Sequence, residues 1–90
     1  MNKQELISAV AETADLTRAE AGKAVDALFD SIRGALSKGD EVRLVGFGTF
    51  MTVHRKASTG RNPRTGEPMQ IKASNQPKFK AGKSLKDAVN

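Results

Sequence analysis

The chain has 90 residues, no cysteine, one histidine and a net charge of +5. That fits one small domain and excludes a disulfide framework, and a zinc centre would lack its thiolate and imidazole ligands. Apolar runs of a few residues fall far short of the ~20 needed to span a bilayer, and no charged-then-apolar leader opens the chain, so a cytoplasmic protein is expected.

Charge is unevenly placed. Residues 1–45 hold six Lys/Arg against eight Asp/Glu, whereas residues 46–90 hold nine against two. The second half therefore suits a polyanionic partner, with a merely solvated basic surface as the alternative. A domain this small is marginal alone, burying about 60% of its unfolded surface, so oligomerisation is the expected further source of stability.

In chain order, Asn2 and Glu5 predict a capping box, followed by Leu6, Ile7, Val10, Ala11 and Ala14 at helical spacing. Asp15-Leu16 breaks the period. Thr17 and Glu20 open a second helix whose apolar stripe is Val25, Leu28, Phe29, Ile32 and Leu36. Lys38-Gly39-Asp40 closes it, with a cation in the last turn and glycine after it. Val42 and Leu44 alternate with Glu41 and Arg43, which predicts a half-buried strand, and Gly46-Phe47-Gly48 predicts a tight turn to the next.

Residues 52–76 carry no helical stripe. They read as a long two-stranded ribbon folding back near Pro63, within Gly60-Arg61-Asn62-Pro63-Arg64-Thr65-Gly66. Eleven residues per strand would reach ~35 Å; a disordered loop is the alternative. Pro77-Lys78-Phe79-Lys80 predicts an edge strand with Phe79 inward, and Gly82 precedes a short helix with Leu85, Ala88 and Val89 on one face. Phe29, Phe47, Phe50 and Phe79 are the only aromatics and read as core, with base stacking as the alternative.

No group of residues suits catalysis, so no catalytic residue, cofactor, metal or small-molecule substrate is expected. Ala81-Gly82-Lys83-Ser84 imitates the end of a phosphate-binding loop, but the position that requires the first glycine is Pro77. His54, beside Arg55 and Lys56, is expected to face phosphate. Arg55, Lys56, Arg61, Arg64 and Lys72 spread over the ribbon and its tip, and guanidinium groups suit phosphates and narrow minor grooves. Lys78, Lys80, Lys83 and Lys86 form a second anchor, and Gly82-Lys83-Ser84 at a helix start can offer N–H groups to a phosphate. Pro63 is a turn residue, and two readings stay open: a turn-maker only, or also an apolar wedge between base pairs.

Three segments together carry a resemblance to a known family: Gly46-Phe47-Gly48-Thr49-Phe50, the tip Gly60–Gly66, and Phe79-Lys80-Ala81-Gly82-Lys83 with Leu85-Lys86. Over essentially its full length the chain resembles the bacterial histone-like HU proteins, relatives of integration host factor. The resemblance implies an α+β fold and an intertwined dimer, with a helical base (1–39), a small antiparallel sheet (40–51 and 76–82), a β-ribbon arm (52–75) and a C-terminal helix (83–90). It implies a nucleoid-associated architectural protein that bends, wraps and compacts double-stranded DNA with little sequence preference. The arms would lie in the minor groove, with Pro63 intercalating at each tip. DNA contacts would come from Arg55, Arg61, Asn62, Arg64 and Lys72, with Lys3, Lys83 and Lys86 on the flanks. Val25, Leu28, Phe29, Ile32, Leu36, Leu44, Phe47, Phe50 and Phe79 would form the dimer core. A homodimer is expected, with a heterodimer of paralogous subunits as the alternative. Bent, nicked or gapped duplex is the expected preferred ligand, and some RNA binding is expected. A sequence-directed bending factor is the second reading. Met51, His54 and Ser58 depart from the family's usual arm.

Overall fold

Asn2 and Thr17 determine where the first two helices begin. The computed structural model describes residues 1–90, which divide into two units, Met1–Gly34 and Ala35–Asn90. Helix α1 spans Lys3–Ala14 and helix α2 spans Arg18–Ser37. Asn2 is extended and its Oδ1 accepts the Glu5 N–H at 2.9 Å, satisfying one of the donors that a helix start leaves open. The second helix makes a full capping box: Glu20 N–H donates to Thr17 Oγ1 at 3.1 Å, and Thr17 N–H donates to Glu20 Oε1 at 3.0 Å. Between them Asp15 ends α1 in the left-handed region (φ 57°), which short polar side chains tolerate.

The helical spacing of the first unit brings Ile7 and Ala11 together with Ala21 and Val25, with Val10 packed against them. That is a small core. Farther along the same stripe, Leu28 and Phe29 stay 51% and 38% exposed, while Ile32 and Leu36 are half-buried. Of the expected core stripe, Val25 is thus the buried member. Helix α2 stops at Ser37, so Lys38 falls beyond the last turn rather than within it. Gly39, at φ 82°, makes the reversal, with its N–H on the Leu36 carbonyl at 3.0 Å.

The second unit is built on strands. These are β1 (Val42–Leu44), β2 (Gly48–Arg55), β3 (Ser58–Arg61), β4 (Pro68–Ile71) and β5 (Ser74–Ala81), followed by helix α3 (Lys83–Ala88). One antiparallel sheet has the order β1-β2-β5, and β3 pairs with β4 in a second ladder. The predicted tight turn joins β1 to β2: Gly46 is at φ 81°, and Phe47 N–H donates to the Leu44 carbonyl at 3.0 Å. Pro77 lies on β5, an edge strand, where its missing N–H is tolerated. Phe79 packs against Phe50 (centroids 4.7 Å) and Phe47 (5.5 Å) in tilted geometry, yet remains 42% exposed. The Thr52 hydroxyl donates to the Leu36 carbonyl at 2.8 Å.

The ribbon is not one continuous ladder of eleven residues per strand. Residues 56–57 and 72–73 fall between the pairs Arg55↔Ser74 and Ser58↔Ile71. Two residues drop out on each side, so the register is kept and no bulge forms. All four are lysine or alanine, residue types that pack poorly on a pleated surface. The C-terminal expectation also narrows. Val89 lies past the end of α3 and is 76% exposed, and Ala88 is exposed, so Leu85 alone of the expected face is half-buried.

Candidate nucleic-acid interface

Strand alternation sorts the sheet into two chemically different faces. Side chains two apart on a strand share a face, as do residues directly paired across strands. The registers therefore place Val42, Leu44, Phe50, Thr52, His54, Asn75, Pro77 and Phe79 on one face. Arg43, Thr49, Met51, Val53, Arg55, Ser74, Gln76, Lys78 and Lys80 occupy the other. Every Lys and Arg of the sheet is on this second face, and all three phenylalanines packed together lie at or beside the first.

His54 is a correction to the sequence reading. It stands opposite Arg55, on the aromatic side, with Nδ1 2.9 Å from Asn75 Oδ1. Arg43 is a site candidate that charge clustering missed. Its alternation with Val42 and Leu44 was visible, but only the pairing of Arg43 with Thr49, and of Thr49 with Lys80, shows which cations it joins.

The distal ladder is also two-sided. Thr59, Arg61, Pro68 and Gln70 share one face, and Ser58, Gly60, Met69 and Ile71 the other. Met69 and Ile71 are 46% and 43% exposed. Lys56 and Lys72 lie within the interruption between the ladders. Pro63 and Arg64 are exposed at the apex of the turn that closes from Asn62 to Glu67.

Ion pairing separates the cations further. Lys3 pairs with Asp26 at 2.7 Å, Arg43 with Glu41 at 3.3 Å, and Lys83 with Asp87 at 3.4 Å. These are exposed pairs, worth under about 1 kcal/mol each, which a phosphate can readily replace. Arg55, Lys56, Arg61, Arg64, Lys72, Lys78, Lys80 and Lys86 are exposed and have no acid partner. Ser84 is exposed in the first turn of α3, where Gly82 supplies no side-chain cap.

The family model for bacterial DNA-binding proteins matches residues 1–90. The chain is 60% identical over 90 residues, covering 100% of each chain, to DNA-binding protein HU-beta of Pseudomonas aeruginosa. It is 63% identical over 89 residues, 99% of each chain, to DNA-binding protein HU of Geobacillus stearothermophilus. A solved structure, the Anabaena HU–DNA cocrystal, matches with a TM-score of 0.91 and 48% identity over 99% of this chain and 97% of that one. These relatives are named as DNA-binding proteins rather than enzymes. With the α+β architecture, the two-faced sheet and the ribbon arm, the full-length match establishes that this chain belongs to the HU family of bacterial DNA-binding proteins.

Proposed function

We propose that two identical copies of this chain form an architectural clamp on double-stranded DNA, bending and compacting it in the bacterial nucleoid with little regard to base sequence. The carrying observation is the division of the sheet: unpaired cations on one face, continuing along the arm, and a partly exposed aromatic cluster on the other. The DNA side comprises Arg55, Lys56, Lys78 and Lys80, then Arg61, Asn62, Pro63, Arg64 and Lys72 of the arm. Lys3, Lys83, Ser84 and Lys86 extend the contacts along the flanks. Arginine and lysine contacts to phosphate position a protein without reading sequence, which accords with binding to many sites. The similar Anabaena protein is crystallised with DNA.

Leu28, Phe29, Leu44, Phe47 and Phe79 are all at least a third exposed in a single chain. A second copy that covers them would complete, with Val25, Ile32, Leu36 and Phe50, one shared core. Pro63 at each arm tip enters a base step as a wedge. Unstacking costs about a few kcal/mol per step, which added backbone contacts along the bent duplex offset.

The test combines competition and bending. At fixed salt, intact, nicked, gapped and random-sequence duplexes and duplex RNA compete for the purified protein. Nicked and gapped DNA should bind ahead of intact DNA, with little difference among sequences. Strong preference for one sequence, or for duplex RNA, refutes the reading. Pro63→Ala should reduce the bend seen by single-pair energy transfer more than it reduces binding to straight duplex; an unchanged bend leaves Pro63 a turn residue only.

A further inference from the structure

Asn62 makes three of the hydrogen bonds that close the arm tip, and Thr65 Oγ1 adds another by accepting the Glu67 N–H at 3.3 Å. Asn62 N–H donates to the Glu67 carbonyl at 2.9 Å, and Gly66 N–H donates to the Asn62 carbonyl at 2.7 Å. The Asn62 side chain adds a third bond: its Oδ1 accepts the Arg64 N–H at 2.9 Å. Gly66, at φ 71°, lets the chain return to β4. Asn62 is half-buried, whereas Arg61 and every residue from Pro63 to Glu67 are exposed.

Pro63 lies inside the ring closed by that third bond. Proline's own ring fixes its φ, so the freedom left at the apex is the backbone rotation on either side of it. A bond from the residue before Pro63 to the residue after it restrains both rotations. The amide must point its oxygen inward, because only oxygen can accept from the Arg64 N–H. Its nitrogen therefore points away from that bond and makes no hydrogen bond within the chain.

We propose that Asn62 is a positioning residue for the proline wedge. Its Oδ1 holds Pro63 in a preformed apex, so that entry into a base step orders less of the chain, and its amide nitrogen is dispensable for bending. This rests on the wedge reading above.

Asn62→Ala, Asn62→Asp and Pro63→Ala in the full-length protein separate the two ideas. Aspartate keeps an inward oxygen but replaces the outward N–H₂ donor with an anion. Three readouts apply: bend angle at saturation by energy transfer, affinity for straight duplex, and amide hydrogen exchange at Arg64. Asn62→Ala should lower the sharply bent population about fivefold, the factor of one typical net hydrogen bond. It should also speed exchange at Arg64, and the bend should fall by a larger factor than the straight-duplex affinity does. Asn62→Asp should bind every duplex more weakly through charge, yet recover the bend at saturation and the slow Arg64 exchange.

If Asn62→Asp bends as poorly as Asn62→Ala, the amide nitrogen is doing the work and the proposal is overturned. If Pro63→Ala loses bending but Asn62→Ala keeps it, the positioning role alone fails. If Pro63→Ala bends like the parent protein, the wedge reading fails and takes this proposal with it.

Discussion

Exchanging Lys78 and Lys80 for glutamine should flatten the salt dependence of duplex binding by a calculable amount. Both side chains are exposed, lack an acid partner and share the cation-bearing face of β5. Each neutralised phosphate contributes about 0.9 to the slope of log affinity against log salt. In the proposed homodimer, two copies losing two contacts each would lower the slope by about 3.6, and over a fourfold rise in salt that is a factor of about 150 in the affinity lost. Glutamine keeps a polar chain of similar reach, and substitutions at exposed sites usually alter stability by less than about 0.5 kcal/mol. Lys23→Gln is the control, an exposed cation on α2 outside the proposed interface. The assay is fluorescence anisotropy of a labelled duplex across a salt series. A slope equal to that of the parent protein, or a change matched by Lys23→Gln, would refute the assignment of this face to DNA.

Three further outcomes test the fold beneath the site. A Cβ at Gly48 would lie 2.5 Å from the Phe79 ring and 2.6 Å from the Lys80 carbonyl oxygen, so Gly48→Ala should destabilise the protein by about 1–3 kcal/mol in urea unfolding. Hydrogen bonds to Thr17, from its backbone N–H first and then its hydroxyl, hold the Glu20 carboxyl below its usual range. A depressed carboxylate contributes stability above its unfolded pKa and loses it as pH falls through the folded value. Acid unfolding should therefore show a smaller stability loss across that window for Glu20→Gln than for the parent chain, and equal losses would rule the cap out as a contributor. Phe79→Ala should cost about 3–5 kcal/mol, as for a buried aromatic, if a second copy covers it. Its unfolding midpoint should fall, and sedimentation should show a weaker dimer than the one proposed for the parent protein; a dimer of undiminished strength would place Phe79 outside the interface.

Local chemistry was legible where the cause lies within a few residues. Asn2, Thr17 with Glu20, Gly39 and the Gly46 turn all act at the positions their spacing indicated, because a cap or turn is made by neighbours in sequence. Facing was not legible. His54 and Arg55 are adjacent and polar, and composition groups them, yet a strand sends neighbours to opposite sides. Only the pairing with Asn75 and Ser74 reveals what each one meets. The interruption of the ribbon was hidden for a similar reason: Lys56-Ala57 is unremarkable until it falls opposite Lys72-Ala73. Leu28 and Phe29 read correctly as apolar, but the spacing of a stripe does not say whether its cover comes from the same chain.

Register is therefore the quantity on which the proposed interface depends. A slip of one residue between β2 and β5 would exchange the faces of one strand relative to the other. Lys78 and Lys80 would then oppose the phenylalanine side, and burying an unpaired ammonium there would be strongly unfavourable. Two contacts oppose such a slip. The Phe79 ring and the Lys80 carbonyl crowd so closely over Gly48 that no other residue of β2 can take its place. Gly82 N–H donates to the Phe47 carbonyl at 2.8 Å, and a Cβ at Gly82 would approach that same oxygen to 3.2 Å. Neither glycine can contact DNA through a side chain. Yet together they decide that Arg55, Lys78 and Lys80 emerge on one side while Phe50 and Phe79 remain on the other. The glycines that bracket the sheet thus bear on the proposed DNA-binding face indirectly, by setting the orientation of every cation the sheet presents.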